Sequence, residues 1–251
     1  IGTVTMDRPA TFSNPISDVT IDPGSMLVIN GHRLEMGGDL TVTTSNAAGD
    51  GLIIQNPSDE VVVGGNALFT TSPSQANAFS TGNFSDGVIR IGGDFTQTRN
   101  GSTSSTGSFV STGTEVVFDG TATQTINFAF PAANQSLFHD LSLENDGPGL
   151  IRFTSDIVAS GQLRSSLDNF PEVEGNSNTL TVNGGLNVNG LGLDKVALQV
   201  NGGPFDAFDF VSFRNYSTAA TQMFITHTDV DAAFVGVEFE VAPSTGKYIS
   251  A

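Results

Sequence analysis

One short motif recurs at a nearly constant interval, and that interval limits the folds open to the chain. A glycine pair followed by Asp or Asn and then an apolar residue occurs in MGGDL, VGGNA and IGGDF. These three pairs, Gly37-Gly38, Gly64-Gly65 and Gly92-Gly93, lie 27 and 28 residues apart. A constant period of this size indicates a repeat architecture, in which each unit stacks on its neighbours.

Short segments with alternating apolar residues lie between the glycine pairs. SMLVI, GLIIQ, TEVVFDG, QTINFAF, HDLSLEN, GLIRFTSDIVASGQL, FDFVSFRN and VGVEFEV place Val, Ile, Leu or Phe at alternate positions. This alternation predicts half-buried strands, and the flanking Gly, Asn, Asp, Ser and Pro residues predict turns. No segment combines helix formers with helical spacing over about ten residues. The sequence therefore predicts an all-β fold with almost no helix.

The period separates the all-β architectures. Propeller blades repeat at about 40 to 50 residues, and sandwich strands rarely repeat at a constant step. A step of 27 to 28 residues that holds about three short strands fits one coil of a parallel β-helix. We predict a single right-handed β-solenoid of roughly nine coils. In this interpretation residues 1–30 form N-terminal edge strands, 31–225 the repeat body and 226–251 C-terminal edge strands.

The glycine pairs are interpreted as structural corners. Glycine lacks Cβ and tolerates positive φ, so it permits a sharp turn and a close approach between coils, and a following Asp or Asn can bond its own backbone. A phosphate-binding loop is disfavoured because no helix N-terminus and no Lys-Ser/Thr follows. We expect five pairs at coil corners, with the first three stacked along one edge: Gly37-Gly38, Gly64-Gly65, Gly92-Gly93, Gly184-Gly185 and Gly202-Gly203.

Composition excludes several classes of partner. The chain has 9 Lys and Arg against 26 Asp and Glu, a formal net charge of -17 that disfavours nucleic acid and anionic membrane. It has no cysteine, hence no disulfide and no thiolate chemistry, and no apolar run long enough for a transmembrane helix. Its 29 Gly, 19 Phe and abundant Ser, Thr and Asn are typical of exported bacterial surface proteins. We expect an extracellular or cell-surface location.

Two acidic clusters are the candidates for a metal site. Asp206 and Asp209, and likewise Asp229 and Asp231, bring carboxylates together in predicted loops. Calcium takes six to eight oxygen ligands, and neither cluster matches an EF-hand or a nonapeptide calcium repeat. We interpret both as solvated acidic turns, with calcium binding as the alternative, and predict no cofactor.

The histidines give little support for catalysis. His32, His139 and His227 lie far apart in the sequence, and no Gly-x-Ser-x-Gly elbow accompanies them. His139 is expected to face solvent beside Asp140, while the apolar residues around it point inward.

Carboxylate pairs at i and i+2 are weak candidates for glycoside hydrolysis. Glu172 and Glu174 form one such pair, and Glu238 and Glu240 form the other. The alternation in VGVEFEV places both glutamates outside, as solubility requires. An enzyme would instead bring arginines and carboxylates from several coils into one groove. The candidate arginines for such a groove are Arg90, Arg152, Arg164 and Arg214.

A longer block resembles a known kind of repeat. FVSTGTEVVFDGTATQTINFAFPAANQSLFHDLSLEN, residues 109–145, is similar to a repeat of large secreted or surface β-solenoid proteins of environmental bacteria. GHRLEMGGDLTV, GVIRIGGDFTQT and VALQVNGGPFDAFDFVSFRN resemble its flanks. The resemblance implies export, a solenoid and a non-enzymatic surface role, often beside immunoglobulin-like modules. It brings no catalytic or binding residues.

The expected function is therefore structural: a surface or adhesin protein, or a subunit of a self-assembling filament. Neither terminal segment contains a helical cap, so we expect head-to-tail strand contacts with another copy or with neighbouring modules of a longer chain. Thr3 to Thr5 and Val235 to Val241 would supply the joining strands. The alternatives are a polysaccharide-binding or polysaccharide-cleaving β-helix, with a cell-surface polysaccharide as partner, and a phage-type fibre segment.

Overall fold

The computed structural model describes residues 2–12, 17–45, 50–72, 83–99, 107–131, 135–165, 171–175, 178–188, 191–201, 211–215 and 237–241, with only the backbone at 11–12, 211–215 and 237–241. The regular structure in these ranges is entirely β, and no helix there could cross a membrane. The strands are β1 Thr3–Thr5, β2 Ala10–Phe12, β3 Val19–Ile21, β4 Met26–Val28, β5 Arg33–Met36, β6 Leu40–Thr44, β7 Gly51–Ile53, β8 Glu60–Val63, β9 Ala67–Thr71, β10 Val88–Ile91, β11 Phe95–Gln97, β12 Glu115–Phe118, β13 Gln124–Phe128, β14 Asp140–Leu143, β15 Ile151–Phe153, β16 Ile157–Ala159, β17 Leu163–Ser165, β18 Glu172–Glu174, β19 Thr179–Val182, β20 Leu186–Val188, β21 Leu191–Asp194, β22 Ala197–Val200, β23 Val211–Asn215 and β24 Val237–Val241.

The strands stack in parallel as a β-solenoid with three faces. Face 1 begins with β1-β4-β7, continues through isolated bridges such as Ile54 to Phe84 and Phe138 to Ala159, and ends with β16-β19-β22. Face 2 is the eight-stranded sheet β2-β5-β8-β10-β12-β14-β17-β20. Face 3 is the ten-stranded sheet that runs from β3 to β24. Through the body of the solenoid the chain passes from face 1 to face 2 to face 3, which confirms the predicted fold class.

The repeat length is not constant along the solenoid. Hydrogen bonds between neighbouring coils join residues 27 and 28 positions apart near the first glycine pairs. The separation falls to 22 between Gln162 and Asp140 and to 18 between Asn201 and Asn183. The predicted count of nine coils assumed a fixed step of about 27 residues, and it differs slightly from the coil count of the structure.

Alternating burial fills the interior with apolar side chains. Phe118, Phe128, Phe138 and Phe153 are at most 1% exposed, as the alternation predicts. Phe210 lies outside the described residues, and only the backbone of Phe213 is described. Full burial of a phenylalanine side chain contributes roughly 1.5 to 3 kcal/mol, so the interior is the main source of stability.

A cluster of aromatic rings fills the interior around Phe95. The ring centroid of Phe95 lies 5.1 Å from those of Phe109, Phe128 and Phe138, and 5.6 Å from that of Phe69. Aromatic pairs at this separation add stability beyond their buried area. In the later coils, from β16 to β22, the described buried apolar residues are instead Leu, Val, Ile and Ala.

Candidate functional surfaces

The corner between face 2 and face 3 carries the three regular glycine pairs. Gly64-Gly65 lies between β8 and β9, with Gly37-Gly38 below it and Gly92-Gly93 above. The Gly93 amide donates to the Gly65 carbonyl oxygen at 2.9 Å, and the Gly65 amide donates to that of Gly38 at 2.9 Å. A Cβ atom on Gly93 would lie only 2.6 Å from the Gly65 carbonyl oxygen. Glycine is therefore required at this corner because neighbouring coils are too close to leave room for a Cβ atom.

The other two predicted pairs lie elsewhere. Gly184-Gly185 lies between β19 and β20, at the corner between face 1 and face 2. The Gly184 amide there donates to the carbonyl oxygen of Gly161 at 2.8 Å. Gly202 and Gly203 lie outside the described residues. The motif thus marks close contacts at two different corners of the solenoid.

Asp39, Asn66 and Asp94, which follow the three glycine pairs, form a corner ladder together with Asp18. The backbone amide of Asn66 donates to Asp39 Oδ1 at 2.6 Å, and the backbone amide of Asp94 donates to Asn66 Oδ1 at 2.8 Å. In the first bond of the ladder, the backbone amide of Asp39 donates to Asp18 Oδ1 at 2.8 Å. Each side chain therefore bonds the next coil. The prediction that each Asp or Asn side chain bonds mainly to its own backbone is wrong. The glycine pair brings the backbone amide of the neighbouring coil within reach, and the side chain accepts from that amide instead.

Buried polar groups inside the same corner were missed by the sequence analysis. Gln124 Nε2 donates to the carbonyl oxygens of Ile91 and Gly93 at 2.8 and 2.9 Å. Asn145 Nδ2 donates to Gln124 Oε1 at 3.0 Å. The available signal was Gln124 at an inward position of the alternating QTINF segment. A fully buried side-chain amide needs hydrogen-bond partners. An inward-facing glutamine therefore indicates nearby buried backbone groups that would otherwise have no partner.

Face 2 carries on its outer side an arginine network, defined as Arg33, Arg90 and Arg164 with their carboxylate partners. Arg90 lies 3.2 Å from Asp119 and 3.5 Å from both Glu60 and Glu144. Burial alone lowers the pKa of the Arg90 guanidinium, but its interactions with Asp119 and Glu144 outweigh burial and raise that pKa. The guanidinium is therefore a fixed positive charge between carboxylates of neighbouring coils.

The other candidate arginines from the sequence lie on both face 2 and face 3. Arg164 contacts Glu115 at 3.1 Å and Asp140 at 2.8 Å, on face 2. Arg152 contacts Glu174 at 3.0 Å on face 3, and Arg214 is described only by its backbone, on face 3. Arg90, Arg152, Arg164 and Arg214 are therefore divided between two faces.

The other candidates for chemistry lie outside the interior. His139 Nδ1 is 3.2 Å from Asp140 Oδ1, and the imidazole is about one third exposed. Glu172 and Glu174 flank the buried Val173 and point outward. The side chains of Glu238 and Glu240 are outside the described part of the chain, as is His227.

No group of three or more His, Asp or Glu side chains is placed to hold a metal ion within the described ranges. Asp206, Asp209, Asp229 and Asp231 lie outside those ranges. The calcium hypothesis for these four residues stays a prediction.

The N-terminal end of the solenoid presents three edge strands. β1, β2 and β3 are the first strands of faces 1, 2 and 3, and among the described strands each has a partner on one side only. Val4 in β1 is 62% exposed. A cleft of about 320 Å³ beside it is lined in part by Val19, Ile21 and Leu27. Apolar side chains and unpaired backbone groups therefore meet at this end.

Comparison with known proteins gives no match: no family model, no curated protein and no solved structure corresponds to the chain. The candidate functional surfaces in the described part of the chain are the corner ladder, the arginine network and the N-terminal end.

Proposed function

We propose that the chain is a non-enzymatic extracellular structural protein, a surface or adhesin module or a subunit of a self-assembling filament. It would act as the secreted β-solenoid proteins of environmental bacteria do, which its sequence resembles. One observation carries the proposal: outward polar side chains bond one coil to the next. Asn66 Oδ1 accepts from the Asp94 amide, and Arg90 lies between carboxylates of different coils.

These bonds support a mechanical role because they use the groups from which an active site would be built. A catalytic carboxylate must reach its substrate, whereas Asp119 contacts Arg90 at 3.2 Å and Asp140 contacts Arg164 at 2.8 Å. A polysaccharide-cleaving solenoid would bring such residues together around a substrate groove. The separation of Arg152, on face 3, from Arg90 and Arg164, on face 2, favours the structural function.

The N-terminal end supports assembly. Unpaired strands are templates for another strand, and natural solenoids usually cover them with a cap. In the described residues β1, β2 and β3 are uncovered, and Val4 is exposed. β24 is the last strand of face 3 at the opposite end. A head-to-tail contact, either with another copy or with a neighbouring module, would continue the parallel sheets and can propagate.

The test is the assembly state of the purified chain. Sedimentation velocity over a range of concentrations and negative-stain electron microscopy should show end-to-end rods. Val4→Lys places a charge at the open edge and should shorten them, and a chain lacking residues 1–10 should do the same. Thr181→Lys on β19 is the matched control, because β19 is paired on both sides.

Circular dichroism must show that every variant remains folded. A strictly monomeric chain at high concentration would overturn the filament function. Equal shortening by Thr181→Lys would show that charge in general, and not the open edge, controls assembly. Turnover of a polysaccharide by the purified chain would contradict the non-enzymatic function.

A further inference from the structure

The outer side of face 3 carries a regular array of uncharged residues. We call this array the threonine face and define it by two columns that cross successive coils. The first column contains Thr20, Thr41, Leu68, Thr96, Asn127 and Thr154, and the second contains Thr43 and Thr70. Strand register places the residues from Thr20 to Asn127 directly above one another. Thr154, immediately after β15, donates to Asn127 Oδ1 at 3.2 Å.

The array contrasts with the rest of a strongly acidic molecule. The chain carries a net charge of -17, yet none of the eight positions is charged. The outer side of face 2 holds instead the arginine network. Charged side chains of face 3 such as Asp39 and Arg152 lie in a neighbouring column, which contains the corner ladder and the Arg152–Glu174 pair. An uncharged, periodic surface on such a protein suits an uncharged, periodic partner.

Hydroxyl groups on the threonine face are available to that partner. Thr41, Thr43, Thr70 and Thr96 are half-buried, and their hydroxyls make no hydrogen bond to described protein groups. Each hydroxyl offers one donor and two acceptor sites, and water molecules can bond to all of them. Threonine is stiff at χ1 because it is β-branched, so each hydroxyl and methyl group keeps a nearly fixed position.

The backbone fixes the spacing of these groups. Neighbouring coils place equivalent side chains about 4.8 Å apart, and positions i and i+2 of one strand lie about 6.6 Å apart. Hydroxyls on this grid can hold a layer of water in two dimensions, with methyl groups between them. The repeats of the grid are comparable to oxygen repeats in the lattice of hexagonal ice.

We propose that the threonine face binds ice by ordering a water layer that joins the crystal lattice. The proposal goes beyond the filament function and does not depend on it. A crystalline polysaccharide is the competing partner, but its apolar ring faces stack best on aromatic side chains. None of the eight positions is aromatic, and Phe69, Phe95, Phe128 and Phe153 on the same strands point inward.

Ice affinity of the full chain tests the proposal. The protein is partitioned between a slowly grown ice phase and liquid, and inhibition of ice recrystallisation is measured on the same samples. The double variant Thr70→Tyr with Thr96→Tyr puts bulk in both columns and should weaken inhibition about tenfold, a change of about 1.4 kcal/mol in binding free energy. Thr181→Tyr on the outer side of face 1 is the matched control and should retain wild-type activity.

Conservative variants separate the two parts of the side chain. Thr70→Val keeps the methyl groups and Thr70→Ser keeps the hydroxyl, and both should bind ice more tightly than the double variant. Exclusion of the folded wild type from ice would overturn the proposal, as would an equal loss in Thr181→Tyr. Retention on microcrystalline cellulose or chitin without enrichment in ice would overturn it in favour of the polysaccharide partner. The assembly state is measured separately, so failure here leaves the filament function unaffected.

Discussion

For single residues, the decisive property at the main corner is the absence of a side chain. Gly93 does not adopt the left-handed backbone conformation, because its φ is not positive. What it provides is room, because its position is surrounded by the Gly65 carbonyl group and Asn66 Oδ1. The corner ladder depends on the same closeness, since the Asp94 amide must reach Asn66 Oδ1 on the coil below.

Gly93→Ala should therefore destabilise the chain. The new Cβ atom would lie 2.6 Å from the Gly65 carbonyl oxygen and 2.7 Å from Asn66 Oδ1, so the coils must separate. We expect a loss of about 2 kcal/mol in the free energy of unfolding, as for overpacking in a core. Urea denaturation followed by circular dichroism measures it. Gly2→Ala, where no atom lies within 4 Å of the added Cβ, is the control, and a loss of equal size there would contradict the explanation.

Between strands, the arginine network supplies a second connection in addition to backbone hydrogen bonds. Arg90 on β10 contacts Glu60 of β8 on one side and Asp119 and Glu144 on the other. Its folded-state pKa is raised, so its stabilising effect is present below the unfolded-state pKa. That contribution is lost only when the pH rises through the raised value, far into the alkaline range.

Replacing Arg90 should weaken face 2 more than replacing Arg33. Arg90→Met removes contacts to three carboxylates and leaves them close together, and we expect a loss of about 1 kcal/mol, the usual upper range for exposed pairs. Arg33 is more exposed and contacts only Glu35 and Glu60, so Arg33→Met should cost less. Urea midpoints at low and high salt measure both. The difference should shrink at high salt, and an unchanged difference would argue against a charge effect.

Across the solenoid, stability should vary from coil to coil. β1 is exposed at every position and pairs on one side, whereas the coils from β9 to β14 enclose the aromatic cluster. Solenoid units contact only their neighbours, so local opening need not involve the entire chain. The N-terminal coil is expected to open first and the aromatic coils last.

Hydrogen exchange measured by mass spectrometry tests this gradient. Amides of β10 and β12 should exchange at least about a hundredfold more slowly than those of β1. Phe95→Leu, which disturbs the centre of the aromatic cluster, should lower protection in β9 to β13 by about 1 kcal/mol and leave β1 unchanged. Uniform protection along the chain, or an equal effect on β1, would contradict independent opening of the coils.

The sequence alone predicted what depends on alternation along one strand. The inward positions of Phe118, Phe128 and Phe138 follow from period-two patterning, as does the all-β fold. Contacts between coils were not predictable in the same way, because they join residues such as Asp39 and Asn66 that lie 27 positions apart. The later coils shorten where no regular glycine pair marks the step, so a fixed period could not describe them. The threonine face was also missed, since each coil contributes only one or two of its residues.

The corner ladder has a consequence for how such a chain can change in length during evolution. Asn66 bonds to Asp39 across an interval of 27 residues, and each is preceded by two glycines. A tandem duplication of residues 39–65 would place a second copy of Asp39 directly after Gly65, where its amide meets the Oδ1 atom of the first copy. Both junctions of the inserted unit would then reproduce an existing contact. Gene duplication can therefore lengthen this protein by a whole coil while the hydrogen bonds of the corner ladder continue across both junctions.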